Sequence, residues 1–204
     1  GPPPTEHPIP LPAGRLDIEV RDVTFAYPTR GVTTSTDDAV LRDVDLHIPA
    51  GQQVAMVGAT GSGKTTLGRL VARFADPTVG ELLLGGVPLS AVANDELRQR
   101  LVVVSQEPFM FDDTIAANVG FAKPETSLAD IERAVNRLGL ADWIDTLPDG
   151  VQTRVGERGE ALSAGERQLV ALLRAAVVDP DVLVLDEATS SVDALTEVRI
   201  SHTL

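Results

Sequence analysis

The chain contains no cysteine, which excludes disulfides and thiolate metal sites. Basic residues are scarce: 17 Lys and Arg against 30 Asp and Glu give a formal net charge of −13 at pH 7. Nucleic-acid binding draws on counterion release by clustered cations, so this balance argues against a nucleic-acid partner. Long apolar runs are also lacking. The longest are broken by Arg174, Asp179 and Asp186, and none reaches the roughly 18 residues of a membrane span. The N-terminus shows no signal-peptide pattern. Its prolines, Pro2, Pro3, Pro4, Pro8, Pro10 and Pro12, make residues 1–14 read as an extended, poorly packed linker. Tryptophan occurs once, at Trp143, where it reads as a core anchor. What is present, 43% hydrophobic and 23% charged residues over 204 positions, suits a soluble globular domain with a sizeable core.

The most informative stretch is Gly58-Ala59-Thr60-Gly61-Ser62-Gly63-Lys64-Thr65, which fits G-x-x-x-x-G-K-[ST] at every fixed position. The apolar run Val54-Ala55-Met56-Val57 before it is expected to be a strand, and the residues from Lys64 to about Phe74 a helix. Glycines let the backbone turn its N–H groups inward, so that loop and helix N-terminus form a positively polarised cradle for phosphates. Lys64 adds a full charge for the β- and γ-phosphates, and the Thr65 hydroxyl is suited to ligate Mg²⁺. Farther on, the apolar run Val182-Leu183-Val184-Leu185 ends in Asp186-Glu187. A strand tip with two carboxylates, in a chain with a phosphate loop, is the pattern of a metal-and-water site: Asp186 for Mg²⁺, Glu187 to polarise the attacking water. Ser163-Ala164-Gly165-Glu166 is a capping box opening a helix to Val178. The positive end of that helix suits a second phosphate contact.

Between these landmarks, 16–27 and 40–48 alternate as strands of an antiparallel sheet, Gly31 to Asp38 reads as a loop, and 81–86 as a strand and turn. Leu101-Val102-Val103-Val104 is a fully apolar strand ending at Ser105-Gln106. From Thr114 to Leu147 the periodicity is helical, with Leu128, Ile131, Ala134, Val135 and Leu138 on one face. A last helix is expected from about Ala194.

In this order and spacing, Gly58 to Thr65, Gln106, Leu162-Ser163-Ala164-Gly165-Glu166, Leu185-Asp186-Glu187 and Ser191-Val192-Asp193 resemble the nucleotide-binding domain of an ABC transporter. Val104 to Phe111 with Thr114, Ile115 and Asn118, and Val155-Gly156-Glu157-Arg158-Gly159, resemble the exporter branch. The resemblance implies an α/β fold: a P-loop NTPase core, mainly a parallel sheet with flanking helices, plus an antiparallel β-subdomain and an inserted α-helical subdomain. Core and β-subdomain would occupy 15–106 and 161–204, and the helical subdomain 107–160. It implies ATP and Mg²⁺ as cofactors and ATP hydrolysis coupled to export. Gly58, Thr60, Gly61, Ser62, Gly63, Lys64, Thr65 and Thr66 would bind ATP, with Tyr27 stacked on adenine. Glu187, Gln106 and Lys64 would serve catalysis, and Thr65, Gln106 and Asp186 the metal.

The resemblance further implies that Ser163, Ala164, Gly165 and Glu166 contact the ATP of a second, head-to-tail domain, homo- or heterodimeric, with Asp193 communicating across the interface. A transmembrane domain fused N-terminally would be touched through 155–159, placing the domain at the cytoplasmic face of a membrane. Ala164 and Glu166 depart from the family's LSGGQ, adding a methyl group and a carboxylate. The family's switch histidine is expected beyond Leu204, His202 reading as a surface residue, so the 204-residue chain alone is expected to bind Mg-ATP, to hydrolyse it slowly and to be mostly monomeric. Two other readings stand beside this one. A soluble ABC-type ATPase would show nucleic-acid binding at low salt, and a regulatory module without turnover is argued against by Lys64, Asp186 and Glu187.

Overall fold

The computed structural model describes Pro2, residues 5–28 and residues 38–186. The chain divides into two compact units, Gly1–Leu101 and Val102–Leu204.

The first unit is built on an antiparallel sheet in the order β2-β1-β3-β4, with β1 Ile18–Phe25, β2 Leu41–Ile48, β3 Val79–Leu84 and β4 Val87–Pro88, as expected of the early strands. The alternation of Ile18 and Val20 with polar neighbours puts one face of β1 inward, and both are buried; Ile18 sits opposite Ile48 on one side and Leu84 on the other. The β1–β3 register slips between Arg21 and Thr24, where Asp22 has φ +49°. Gly80 makes room for this bulge. A Cβ there would lie 2.4 Å from the carbonyl oxygens of Arg21 and Asp22, so no larger residue fits against the bulged backbone. Helix α1 (Lys64–Val71) ends three residues before the expected Phe74, and α2 is Asn94–Arg100.

The proline-rich N-terminal segment forms no helix or strand from 8 to 12, but it is not loose. Ile9 N–H donates to Ala91 O (2.8 Å), Leu11 N–H to Glu96 Oε1 (2.9 Å), and Arg100 to Gly14 O (2.7 Å). Leu11 is buried. Main-chain groups that proline leaves free thus find fixed partners on the sheet unit.

One expectation fails in this unit. Val54-Ala55-Met56-Val57 is not a strand; Val54, Met56 and Val57 are 47%, 44% and 90% exposed. A strand closes its main-chain hydrogen bonds only against a neighbour, and no described strand pairs with this run. The strand expected to lead into the phosphate loop is accordingly not seen among the described residues.

The second unit carries β5 (Leu101–Val104, beginning at the unit boundary), α3 (Ile115–Gly120), α4 (Leu128–Arg137), α5 (Ala141–Thr146), α6 (Ala164–Val178) and β6 (Val182–Leu185). β5 and β6 pair with each other. Helix α6 is buried at Gln168 through Leu173 and at Ala175 through Val177, so it is the element around which α3 and α4 pack. The expected apolar face of α4 is observed at Ile131, Ala134, Val135 and Leu138. Leu128 is the exception: it is 53% exposed, standing in the first turn directly after the N-cap Ser127. Among the described residues no helix is long and apolar enough to cross a membrane.

Candidate functional site

In the first unit the phosphate loop is set by two left-handed glycines, Gly61 (φ +83°) and Gly63 (φ +91°). Gly63 is the N-cap of α1 and supplies no side-chain cap, which leaves the first N–H groups of the helix to the concave side. A Cβ at Gly63 would lie 2.6 Å from Leu41 Cδ2, so a larger residue would both strain the dihedral and push the Leu41 side chain aside. The Lys64 ammonium folds back into the loop and donates to Gly58 O (2.8 Å) and Ala59 O (3.0 Å). A cation held over turned backbone amides is a fit to a polyphosphate, and the exposed Thr65 hydroxyl is a hard oxygen donor of the kind Mg²⁺ takes. Thr60 and Ser62 are exposed on the same loop.

Tyr27 stands beside this loop. Its hydroxyl lies 3.1 Å from Thr66 Oγ1, and its ring packs edge-on against Phe25 with centroids 5.0 Å apart. A cavity of about 490 Å³ opens next to the pair, walled by Tyr27, Thr66, Arg69, Phe74, Asp76 and Thr78 among others. The ring itself is 47% exposed, which leaves a face for stacking. Both Tyr27 and Thr66, singled out from sequence, therefore meet at one place.

In the second unit the ends of β5 and β6 bring together two of the three expected metal-facing residues. Asp186 N–H donates to Val104 O at 3.0 Å, and Gln106, exposed, follows two residues after Val104. Among the described residues no three His, Asp or Glu side chains form a metal cluster. A carboxylate and an amide oxygen suit Mg²⁺ only if phosphate oxygens complete its shell. Glu187, Ser191, Val192, Asp193, His202, the last helix and most of the 31–38 loop lie outside the described residues.

The start of α6 is the predicted capping box. Glu166 N–H donates to Ser163 Oγ (3.2 Å), Ser163 N–H to Glu166 Oε2 (2.8 Å). The indole N–H of Trp143 donates to Glu166 Oε1 at 3.2 Å. Trp143 is thus half-buried against the core with its polar edge on the cap, a role that the core-anchor reading did not include. The main-chain N–H of Ser163, then the Ser163 hydroxyl and Trp143, hold the Glu166 carboxyl below its ordinary 4.5, against an opposing desolvation. A group depressed on folding stabilises above its unfolded value and loses that contribution as pH falls through the folded value. Glu166→Gln keeps a cap that has no charge to lose. The difference in melting temperature between wild type and Glu166→Gln is expected to stay constant from neutral pH to about 5 and to shrink below it, a contribution of about 1 kcal/mol at most. An unchanged difference through the acid range would overturn the assignment.

The contacts missed from sequence are those that tie loops to α6, although Asn118 itself belongs to the exporter-like stretch. Arg174 donates to Asn118 O and Asn118 Oδ1 (2.7 Å each) and to Phe109 O (2.6 Å), and burial pushes its pKa down. Asn118, fully buried, accepts from Phe111 N–H (2.9 Å) and donates to the carbonyls of Phe111 and Thr114 (3.0 Å each). These bonds hold up an exposed aromatic cluster: Phe109 and Phe111 centroids are 5.0 Å apart, Phe111 and Phe121 4.3 Å, with Phe109 62% and Phe121 64% exposed. The turn Glu157–Gly159 has an exposed tip at Glu157 and Arg158, seated on buried Val155 and Gly159.

Known proteins match this chain over nearly its whole length. It is 40% identical over 192 residues to the ABC multidrug transporter mdr2 of Aspergillus fumigatus, covering 94% of this chain and 24% of that protein. It is 41% identical over 194 residues to the ATP-dependent lipid A-core flippase of Chromobacterium violaceum, covering 95% of this chain and 32% of that protein. The chain therefore spans about a quarter to a third of the length of these relatives. Its structure superposes on a bacterial Atm1-family ABC exporter with ATP bound at a TM-score of 0.87 and 37% identity, covering 97% of this chain and 33% of that one. Since the family pattern described as ABC transporter matches residues 41–190, from β2 through the phosphate loop and α6 to the carboxylates after β6, the chain belongs to the ABC transporter family.

Proposed function

We propose that this chain is the ATP-binding and ATP-hydrolysing domain of an exporter, working as one half of a head-to-tail pair. The observation that carries the reading is the phosphate loop: left-handed glycines, Lys64 folded over Gly58 O and Ala59 O, and the Tyr27 hydroxyl on Thr66. Lys64 exchanges its loop carbonyls for the β- and γ-phosphates, the loop N–H groups orient the triphosphate, and Tyr27 offers its free face to the base. Mg²⁺, when bound, neutralises phosphate charge; Thr65, Gln106 and Asp186 are the residues that would hold it. Glu187 takes the proton of the attacking water. Ser163, Ala164 and Gly165 at the start of α6 meet the ATP of the opposite domain, Asp193 crosses that interface, and Glu166 stays turned into the cap on Ser163 and Trp143.

Export requires a membrane partner. The exposed Phe109, Phe111 and Phe121 cluster and the Glu157–Arg158 tip support a docking face for a transmembrane domain, since contiguous exposed aromatics mark interaction surfaces. Such a domain would place this one at the cytoplasmic side of a membrane.

The test is Lys64→Ala. Removing a charged hydrogen bond to phosphate costs about 2–3 kcal/mol, so ATP affinity by calorimetry is expected to fall roughly 30- to 150-fold. Affinity within about threefold of wild type would sink the reading of the loop.

A further inference from the structure

Gln168 is a polar side chain that the site reading does not use, and it is 1% exposed on the central helix α6. Its Nε2 donates to Ser105 O (3.1 Å) and to Gln106 O. The amide orientation follows from chemistry: reversing it would set Oε1 against two carbonyl oxygens, which have nothing to donate. Oε1 is buried and has no hydrogen-bond partner among the described residues. An unpaired buried acceptor costs stability, so packing alone does not explain an amide here; a methionine or leucine would fill the place without that cost.

The two carbonyls it holds belong to the residues that leave β5. Val104 O, immediately before them, takes the Asp186 N–H. The main chain that carries Gln106 is therefore fixed on one side to the Asp186 strand end and on the other to α6. Ser163 caps α6 little more than one helical turn before Gln168. Arg174 anchors Phe109 O and Asn118 from the same helix. Any displacement of the Ser163 end of α6 carries the Gln168 amide, and with it the main chain under Gln106.

We infer that Gln168 is a positioning residue for Gln106, linking the helix that faces the partner's ATP to the residue that faces the domain's own metal and water. The inference rests on the proposed role of Gln106. Gln168 touches neither nucleotide nor metal; it sets where the Gln106 side chain starts. Its unpaired Oε1 offers an acceptor to a loop N–H when the loop shifts, so both halves of the amide serve the same segment.

The experiment is nucleotide binding to the 204-residue chain by calorimetry, in EDTA and across a Mg²⁺ titration, for wild type, Gln168→Met, Gln106→Ala and Val170→Ala. Val170, fully buried on the same helix, controls for lost packing. Gln168→Met is expected to keep metal-free ATP affinity within about twofold and to weaken the apparent Mg²⁺ affinity roughly tenfold or more, as loss of a supporting residue does. Gln106→Ala should give the same shift, the double variant no more than either, and Val170→Ala none. A Mg²⁺ shift in Gln106→Ala without one in Gln168→Met overturns the inference and leaves the Gln106 reading standing. No shift in Gln106→Ala overturns both. An equal shift in Val170→Ala reduces Gln168 to packing and overturns the inference. If Gln168→Met does not fold, Gln168→Leu is judged by the same outcomes.

Discussion

In a longer form of the protein that carries the switch histidine expected beyond Leu204, Glu187→Gln is expected to slow ATP hydrolysis by about two to four orders of magnitude, the usual contribution of a positioned general base, while ATP stays bound. The amide keeps the shape of the side chain and can still hold a water, but it cannot take the proton. The neighbouring Asp186 should not be disturbed, because its main-chain N–H is fixed to Val104 O at 3.0 Å. With hydrolysis stalled and the phosphate contacts intact, the ATP-closed pair accumulates. Turnover and ATP-dependent gel filtration check this in one preparation. Wild-type turnover together with an unchanged elution volume would show that Glu187 is not the base.

Asn118→Leu is expected to destabilise the chain by about 3–5 kcal/mol, the upper range for a single substitution. Leucine keeps the branched shape and the number of side-chain heavy atoms, so the loss is not a cavity. It comes from the groups left behind: the N–H and carbonyl of Phe111, the carbonyl of Thr114 and one arm of the Arg174 guanidinium, each buried or half-buried and each costing about 1–3 kcal/mol when unpaired. Replacing both partners, Asn118→Leu with Arg174→Met, should recover part of the loss, because the guanidinium no longer needs its acceptor. Urea denaturation checks both variants. A single-variant loss below about 1 kcal/mol would show that the network is not what holds the Phe109–Phe121 segment.

How far this architecture is legible in sequence depends on where the determining partner lies. The cap on Ser163 is local, with its acceptor and donor three residues apart, and the sequence shows it directly. Helix α4 is legible for a similar reason: its 3.6-residue period repeats at Ile131, Ala134, Val135 and Leu138, and only Leu128 in its first turn departs. The run Val54–Val57 is a different case. Its apolar composition predicts burial, but a strand is a property of two chains of backbone, and the neighbour is not written in the run itself. Gln168 and Arg174 lie at the far end of this scale. Gln168 bonds carbonyls 62 and 63 residues earlier, and carbonyls are the same at every residue, so no pattern of side chains could have announced them. The phosphate loop is the reverse: its chemistry is main-chain chemistry too, but the glycines it requires are visible as residues.

The chain has a single tryptophan, and its indole edge rests on the carboxylate that closes the cap of α6. Fluorescence excited at the red edge of protein absorption therefore comes from one fluorophore whose indole N–H is bonded to an ionisable group. The protein carries its own optical gauge of the helix start proposed to face a second domain, and events there can be followed in real time without attaching a dye.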